Sequence, residues 1–418
     1  MGCGLCAAVA PDTWQMDESK AIPTPVQVGP EVESANSVCP AIAGTATLDK
    51  EASVNFPEVD QKTRFGRVLQ CYIGFSNSGQ RENSSSGGLL TEYLCELLEQ
   101  GIVKAVIHVA EKTGDSGYEF VKSKSPAEIR SRCKTRYYPV NLSKLREMLV
   151  GETDVALVAN PCFTSNSRRL SQNDPENFGA LKHFVAFFCG HWKSKGWSEY
   201  LVAAADLKGG SLTDFRSKID GRPANKYGFK VVAEQSEKVV AMDTVPLSGW
   251  QYGLFKPALC DFCDDVGAEL GDVVFGDAWI TPESESSLGT SVVLVRSDVA
   301  DSVIKVAAER GSMSISELTL ERLLESQSAT IRHRQDGLSS RLALRMMQMK
   351  SAPATRAKPK LPLHKSTLIS LVRYRLARRS HVVWSSVKHY PDAIDRFNDK
   401  LKFELLLLRV VNKIPNRR

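Results

Sequence analysis

Val68-Leu-Gln-Cys-Tyr-Ile-Gly-Phe75, Asn83-Ser-Ser-Ser-Gly-Gly88, Leu89-Leu-Thr-Glu-Tyr-Leu-Cys-Glu-Leu-Leu98 and Ile102-Val-Lys-Ala-Val-Ile-His-Val109 follow one another closely. The first segment reads as a strand. After the serine–glycine turn, Leu89, Leu90, Tyr93, Leu94, Leu97 and Leu98 recur at helical spacing and define one buried face. Ser86 is the expected N-cap of that helix and Gly101 its stop. The near-continuous apolar run 102–109 is expected to be a buried strand. Strand, glycine-bearing turn, helix and strand form the repeating unit of a helix-flanked sheet, so the fold class is α/β with a mixed sheet.

The alternation continues outward. Leu142–Leu149 is expected to be helical, Val155–Ala159 a strand, the region around Phe178 a helix and Lys182–Cys189 a strand. From Lys208 to Leu254 the pattern becomes short and strand-rich, punctuated by glycines. Val273–Trp279 and Ser291–Val295 read as strands, and Ser297–Glu309 and Ser316–Glu325 as helices. Residues 1–45 have several prolines and no clear periodicity, which suits a small module tied by metal. Residues 46–65 read as a linker. The expected organisation is 1–45, a small metal-tied module; 66–150, an N-terminal α/β region; 151–330, a C-terminal α/β region; and 351–418, a basic helical tail.

With 418 residues, 42% hydrophobic and 24% charged, the composition is that of an ordinary globular protein. No run reaches the eighteen or so apolar residues that span a bilayer. The start shows no basic segment followed by an apolar core, so no export signal is expected and the expected location is cytoplasmic. The net charge of +6 conceals an asymmetry. Residues 332–418 hold 21 basic and 5 acidic side chains, a balance of +16, while the remainder holds 33 and 43, a balance of −10. The tail therefore reads as a separate electrostatic object. It mixes basic with apolar residues in Ser366–Arg379 and Lys402–Val411, which fits contact with the inner face of a membrane, a solvated appendage or a docking arm. Nucleic acid is disfavoured because no aromatic platform accompanies the charge.

Ten cysteines without an export signal point to metal ligation rather than to disulfides. Cys260-Asp-Phe-Cys263 can turn two sulfurs toward one metal. Cys162 and Cys189 each follow a strand-like run, and the ends of neighbouring strands share the sheet edge where ligands collect. Together the four suffice for one iron–sulfur cluster, with zinc as the second metal option. Cys3, Cys6 and Cys39 form a second set of three. A ferredoxin-like pattern would add a cysteine three residues before Cys3, which implies either an upstream extension or a fourth ligand elsewhere. Cys95 reads as helix core.

Asn83, Ser84, Ser85, Ser86, Gly87 and Gly88 are the candidate phosphate cradle, since amides at a helix N-terminus favour an anion. Asp277 reads as a turn cap or a catalytic acid. His191 is the one histidine near the proposed chemistry, and its plainer reading is a satisfied surface residue.

These motifs, with Ser85-Ser-Gly-Gly88, Asn160-Pro-Cys162, Phe188-Cys-Gly190, Cys260-x-x-Cys-x-Asp265 and Gly271–Trp279, resemble those of the coenzyme F-420 hydrogenase/dehydrogenase beta-subunit family. The similarity is greatest to bacterial members associated with polysaccharide biosynthesis and covers roughly residues 1–325. The resemblance implies an FAD- and iron–sulfur-dependent oxidoreductase with one or two 4Fe-4S clusters. It implies a ferredoxin-like iron–sulfur module in 1–45, a flavin-binding region in 66–150 and a central cluster in 151–330. By position, Cys162, Cys189, Cys260 and Cys263 would hold the central cluster, and the Ser84–Gly88 turn part of the FAD. It implies a deazaflavin or ferredoxin-like electron donor and a small organic substrate. A relay subunit serving a partner enzyme and a zinc-binding structural module remain the alternatives. Two departures stand out: Asn160 in the Gly-x-Pro-Cys position, and Ala10 before Pro11 where a ferredoxin has cysteine.

Overall fold

The structure is a computed structural model that describes residues 2–30, 35, 38–113, 117–234, 236–362 and 364–414. The last four residues of the basic tail lie outside the described residues.

The chain builds a mixed sheet of eight strands: β1 (Gln70–Ser76), β2 (Ala105–Glu111), β3 (Tyr118–Ser123), β4 (Val155–Ala159), β5 (Leu181–Phe187), β6 (Val273–Asp277), β7 (Ser291–Val295) and β8 (Met313–Glu317). Their spatial order is β8-β1-β7-β6-β5-β4-β2-β3. The centre, β6-β5-β4-β2, is parallel, and both flanks are antiparallel. All five residues of β4, Val-Ala-Leu-Val-Ala, are buried, as a strand covered on both faces requires.

Side chains alternate between two helical layers. Val106, Val158, Val185, Val273 and Phe275 pack with Leu89, Tyr93 and Leu97 of α1 (Leu89–Glu99). Ile107, Leu157, Ala159 and Phe184 pack with Phe163 and Leu170 of α2 (Pro161–Asn173) on the opposite face. The α/β expectation and its helix-flanked mixed sheet hold.

Local departures have local causes. Ser86 is not the N-cap of α1; Gly88 is, at φ 81 without a side-chain cap bond, and the Ser86 hydroxyl donates instead to the Thr290 carbonyl at 3.0 Å. Met313–Glu317, which overlaps the start of the helix expected over Ser316–Glu325, is the edge strand β8 paired with β1, and the helix starts only at Leu320. The residues read as a linker form the helix Leu48–Asn55 and a small hairpin, Lys62–Thr63 with Gly66–Arg67. The N-terminal segment has a short helix (Leu5–Val9), a hairpin (Trp14–Asp17 with Thr24–Gln27) and a helical turn (Pro40–Ala43). Leu5 and Ala8 join the core beneath α2, and the Leu142 amide donates to the Cys3 carbonyl at 2.6 Å.

Strands Ser211–Ser217, Gly228–Ala233 and Ser236–Ala241 form a separate antiparallel sheet. It shares an aromatic core with α3 (Lys195–Ala205) and the tail helices, which follow α4 (Asp298–Glu309) and α5 (Leu338–Met347). Those tail helices are α6 (Lys365–Val387) and α7 (Ala393–Lys413). Trp197, Tyr200, Phe255, Trp384 and Phe397 pack on one another with centroids 5.2–6.2 Å apart. The tail is therefore helical, as expected, and packed into the body. Among the described residues no helix is long and apolar enough to cross a membrane.

Candidate functional site

The parallel centre of the sheet aims two loops at one edge. After β4, Asn160 opens α2 with Pro161 in its first turn, so Cys162 lies in the first turn of a thirteen-residue helix rather than at the strand end itself. After β5, the Phe188 amide donates to the Phe275 carbonyl at 2.9 Å and the Cys189 amide to the Val266 carbonyl at 3.1 Å. The short helical turn Ala258–Phe262 and the residue after it bring Cys260 and Cys263 to the same place. Cys162 lies within electrostatic range of Cys263, Cys189 and Cys260, so the four central thiols converge.

Burial raises all four thiol pKa values, to about 12 for Cys189 and about 11 for Cys263. Amide N–H groups of Trp192 and Asp265 are directed at the sulfurs of Cys260 and Cys263. The main counter-charge is Arg334, which is 2% exposed. Its guanidinium donates to the carbonyls of Cys263 (2.8 Å), Gly190 (2.8 Å) and Cys189 (3.2 Å), and lies 3.9 Å from the Cys189 sulfur. Burial alone would lower its pKa, but the four surrounding thiols hold it raised. Converging thiols, amide donors aimed at sulfur and one buried cation form a donor set that fits an iron–sulfur cluster. Among the described residues no three His, Cys, Asp or Glu side chains gather as a site for a single metal ion.

Asp261 and Asp264, beside this pair of cysteines, are paired with cations that come mostly from the tail. Asp261 is fully buried against Lys256, accepts from Arg378 at 2.8 Å, and gives its carbonyl to Arg341 at 2.7 Å. Arg356 bridges Asp264, Glu269 and Asp49 at 3.2, 2.7 and 2.9 Å.

Cys3, Cys6 and Cys39 also come together. Cys3, pushed up to about 12 by burial, interacts with both other thiols, and the amides of Leu5 and Ala7 are directed at the sulfurs of Cys3 and Cys6. Cys162 lies within electrostatic range of Cys3, so the two groups are neighbours. At Ala10, where a ferredoxin has cysteine, the backbone closes a turn in which the Ala10 carbonyl accepts the amides of Thr13 and Trp14. Cys95 is in the core, as expected. Cys71 is buried on β1, and Cys133 accepts from the Gln80 amide at 2.9 Å.

Beside the central thiols opens a cavity of about 1350 Å³. Its wall includes Ser84, Ser85, Ser86 and Gly88 in one part and Cys189, Gly190 and His191 in another. Asn83 ends a short helix and is not among the lining residues. Gly87 lies so close to the sheet that an added Cβ would sit 2.7 Å from the Ser291 nitrogen and 2.8 Å from the Gly74 oxygen. The Ser84 hydroxyl is buried there without a hydrogen-bond partner. Arg132, Lys134 and Arg136 also line the wall, and Arg136 keeps buried guanidinium atoms unpaired. A bare backbone turn at a helix N-terminus, an orphaned hydroxyl and nearby cations fit a pyrophosphate-bearing cofactor such as FAD.

Residues 71–147 match the N-terminal profile, and residues 152–321 the C-terminal profile, of the coenzyme F420 hydrogenase/dehydrogenase beta subunit. The chain belongs to this family. Among solved structures, a chain of the F420-reducing [NiFe] hydrogenase complex from Methanosarcina barkeri shares the fold with a TM-score of 0.52 and 19% identity. The alignment covers 68% of this chain and 96% of that one. No curated protein matches the chain. The family profiles end before Arg334, Arg341 and Arg356, so three of the cations that brace the thiol site lie outside the shared region.

Sequence reading missed these cations, and Lys256 with them. Arg332-His-Arg-Gln-Asp336 looks like any charged surface run, and only the fold buries its third residue. The Asp277 carboxylate accepts from Arg216 at 2.6 Å, its carbonyl accepts from Gln327 at 3.1 Å, and the residue lines the cavity. His191 is not a satisfied surface residue: it is buried in the cavity wall, its Nε2 has no hydrogen-bond partner, and burial holds its pKa well below the usual value.

Proposed function

We propose that this family member is an oxidoreductase in which Cys162, Cys189, Cys260 and Cys263 hold a 4Fe-4S cluster and the Ser84–Gly88 turn holds part of an FAD. Asn83 then serves the turn only as its lead-in. The observation that carries the reading is the continuous wall of one cavity, from the serine–glycine turn to Cys189. A cluster supplies single electrons and a flavin supplies hydride chemistry, which no side chain offers. Arg334 offsets negative charge at the thiols and ties three loop carbonyls into one frame. Trp192 and the aromatic residues around Lys193 keep water from the sulfur site; Lys193 lies 4.5 Å from the ring centroids of both Trp197 and Trp250.

Cys3, Cys6 and Cys39 are three ligands of a second cluster, which would feed the first from a ferredoxin-like or deazaflavin donor. The regions 1–45, 66–150, 151–330 and 351–418 then act as electron entry, flavin wall, cluster wall and brace. One finding favours a substrate of the protein's own over a pure relay. The cavity exceeds the roughly 300–1,000 Å³ of ordinary ligand pockets. A place in polysaccharide biosynthesis rests on the sequence resemblance. Cytoplasmic residence with peripheral membrane contact is proposed for the outward face of α7, where Phe403, Leu406 and Val410 are exposed beside Lys402 and Arg409.

Anaerobic reconstitution of the full chain, with iron, sulfide and flavin counted and the visible spectrum recorded, tests the central reading. Expected are at least one 4Fe-4S cluster and one FAD per chain. Absence of both rejects it.

A further inference from the structure

The cavity is lined by more positive charge than a flavin turn accounts for, and the cations fall into two kinds. Most have a carboxylate. Arg216 binds Asp277 at 2.6 Å, Lys134 binds Asp214 at 3.0 Å and Arg136 binds Glu111 at 3.2 Å. Lys226, Arg332 and Arg373 also line the wall, and none of the three has an ion-pair partner among the described residues; of these, the two arginines lie close enough to bear on each other. The acids nearby are engaged: Glu325 pairs with Arg322 at 2.8 Å and Asp277 with Arg216.

The two guanidiniums feel each other. Burial first and then the charge of Arg332 lower the pKa of Arg373, whose Nε is buried without a hydrogen-bond partner. Two like charges on a cavity wall, one of them partly desolvated, cost free energy that an anion would recover. A packing role does not need this arrangement, since apolar side chains would fill the space without the penalty.

Their origin in the chain is informative. Arg332 is exposed at the cavity and follows Thr330, whose side chain stands nearest Gly190 in the same wall. Gly190 leaves room there, with the nearest Thr330 side-chain atoms 3.9 Å from where a Cβ would stand. Arg373 comes from α6, beyond the last residue matched by the family profiles. The anion wall is thus a contribution of the tail, separate from the turn at Ser84–Gly88.

We infer that Arg332 and Arg373 form an anion subsite for a phosphate or carboxylate group carried by the organic substrate. This rests on the cavity being the flavin and substrate chamber. The tail then serves specificity as well as support: it selects substrates with a negatively charged group and anchors that group at the Cys189 end. The same chemistry could be supplied by the cofactor's own pyrophosphate, and the test separates the two sources.

Inorganic phosphate and pyrophosphate are titrated by calorimetry into the reconstituted full chain, its Arg373→Gln variant, the Arg332→Gln/Arg373→Gln double variant and Arg373→Lys. The expected result is phosphate affinity at least tenfold weaker in Arg373→Gln, weaker again in the double variant and partly restored in Arg373→Lys. Flavin content should stay at the unmodified value, and the thermal midpoint without phosphate should not fall. Unchanged phosphate affinity overturns the inference. Loss of flavin in parallel with phosphate affinity also overturns it, by giving the arginines to the cofactor. A chain that takes up neither iron nor flavin refutes the functional reading instead, and phosphate binding in the same samples still reports on the arginines.

Discussion

The first 330 residues and the last 88 differ in almost every respect the sequence records, yet the site is completed only where they meet. The body is acidic and supplies all ten cysteines; the tail is basic and supplies none. As sequences they read as two electrostatic objects. In the fold their charges interlock, with Arg334 among the thiols, Arg341 and Arg378 on Asp261, and Arg356 across Asp264 and Glu269. The asymmetry is thus an internal contact between two parts of one chain. A cluster of thiols and carboxylates buried without such cations would carry a heavy desolvation cost.

The contrast is open to being broken. Ending the chain after Lys350 removes Trp384, Leu376 and Phe397 from contact with Trp197, Tyr200 and Phe255, and removes Arg356 and Arg378 from their acids. The expected loss is comparable to the whole stability of a domain, about 5–15 kcal/mol. The truncated chain should be insoluble or lack a cooperative melting transition. A soluble product with an unchanged midpoint would show the tail to be an appendage after all.

A single cation gives a sharper and smaller effect. Arg334→Met leaves the Cys189, Gly190 and Cys263 carbonyls without their donor. A cost of about 3–5 kcal/mol is expected from urea unfolding, as for removal of one partner of a buried charged network. Iron retained after reconstitution should fall with it. Full iron content in a destabilised Arg334→Met chain would confine the residue to a structural role.

The smallest effect concerns the face of α7 turned away from the body. Replacing Lys402 and Arg409 with glutamine should leave the folding midpoint in place. Binding to vesicles rich in anionic lipid should weaken by about 1 kcal/mol per charge removed. Equal co-sedimentation of the variant and the unmodified chain would remove the membrane from consideration.

Much of the frame was legible because it rests on local pattern. Val155–Ala159 and Ser291–Val295 are strands over the expected residues, since continuous β-branched and apolar runs bounded by turns leave few other solutions. β8 was not legible: Met313-Ser-Ile-Ser-Glu is too short for its period to outweigh the helical run that follows, and its strand identity comes from pairing with β1. The thiols were legible as residue types with suggestive neighbours. Their meeting was not, because about seventy residues separate Cys189 from Cys260, and only the crossing connections of the sheet bring them together.

The sequence by itself determined the alternation of strands and helices, the bare turn ahead of Leu89 and the supply of sulfur, because each depends on neighbours within a few positions. Tertiary structure alone decided which charges are buried, which cations face the cavity without a partner, and that the basic tail braces the sulfur site. Burial and pairing depend on what lies across space, and a charged residue in a surface run looks the same in sequence as Arg334 buried among the thiols.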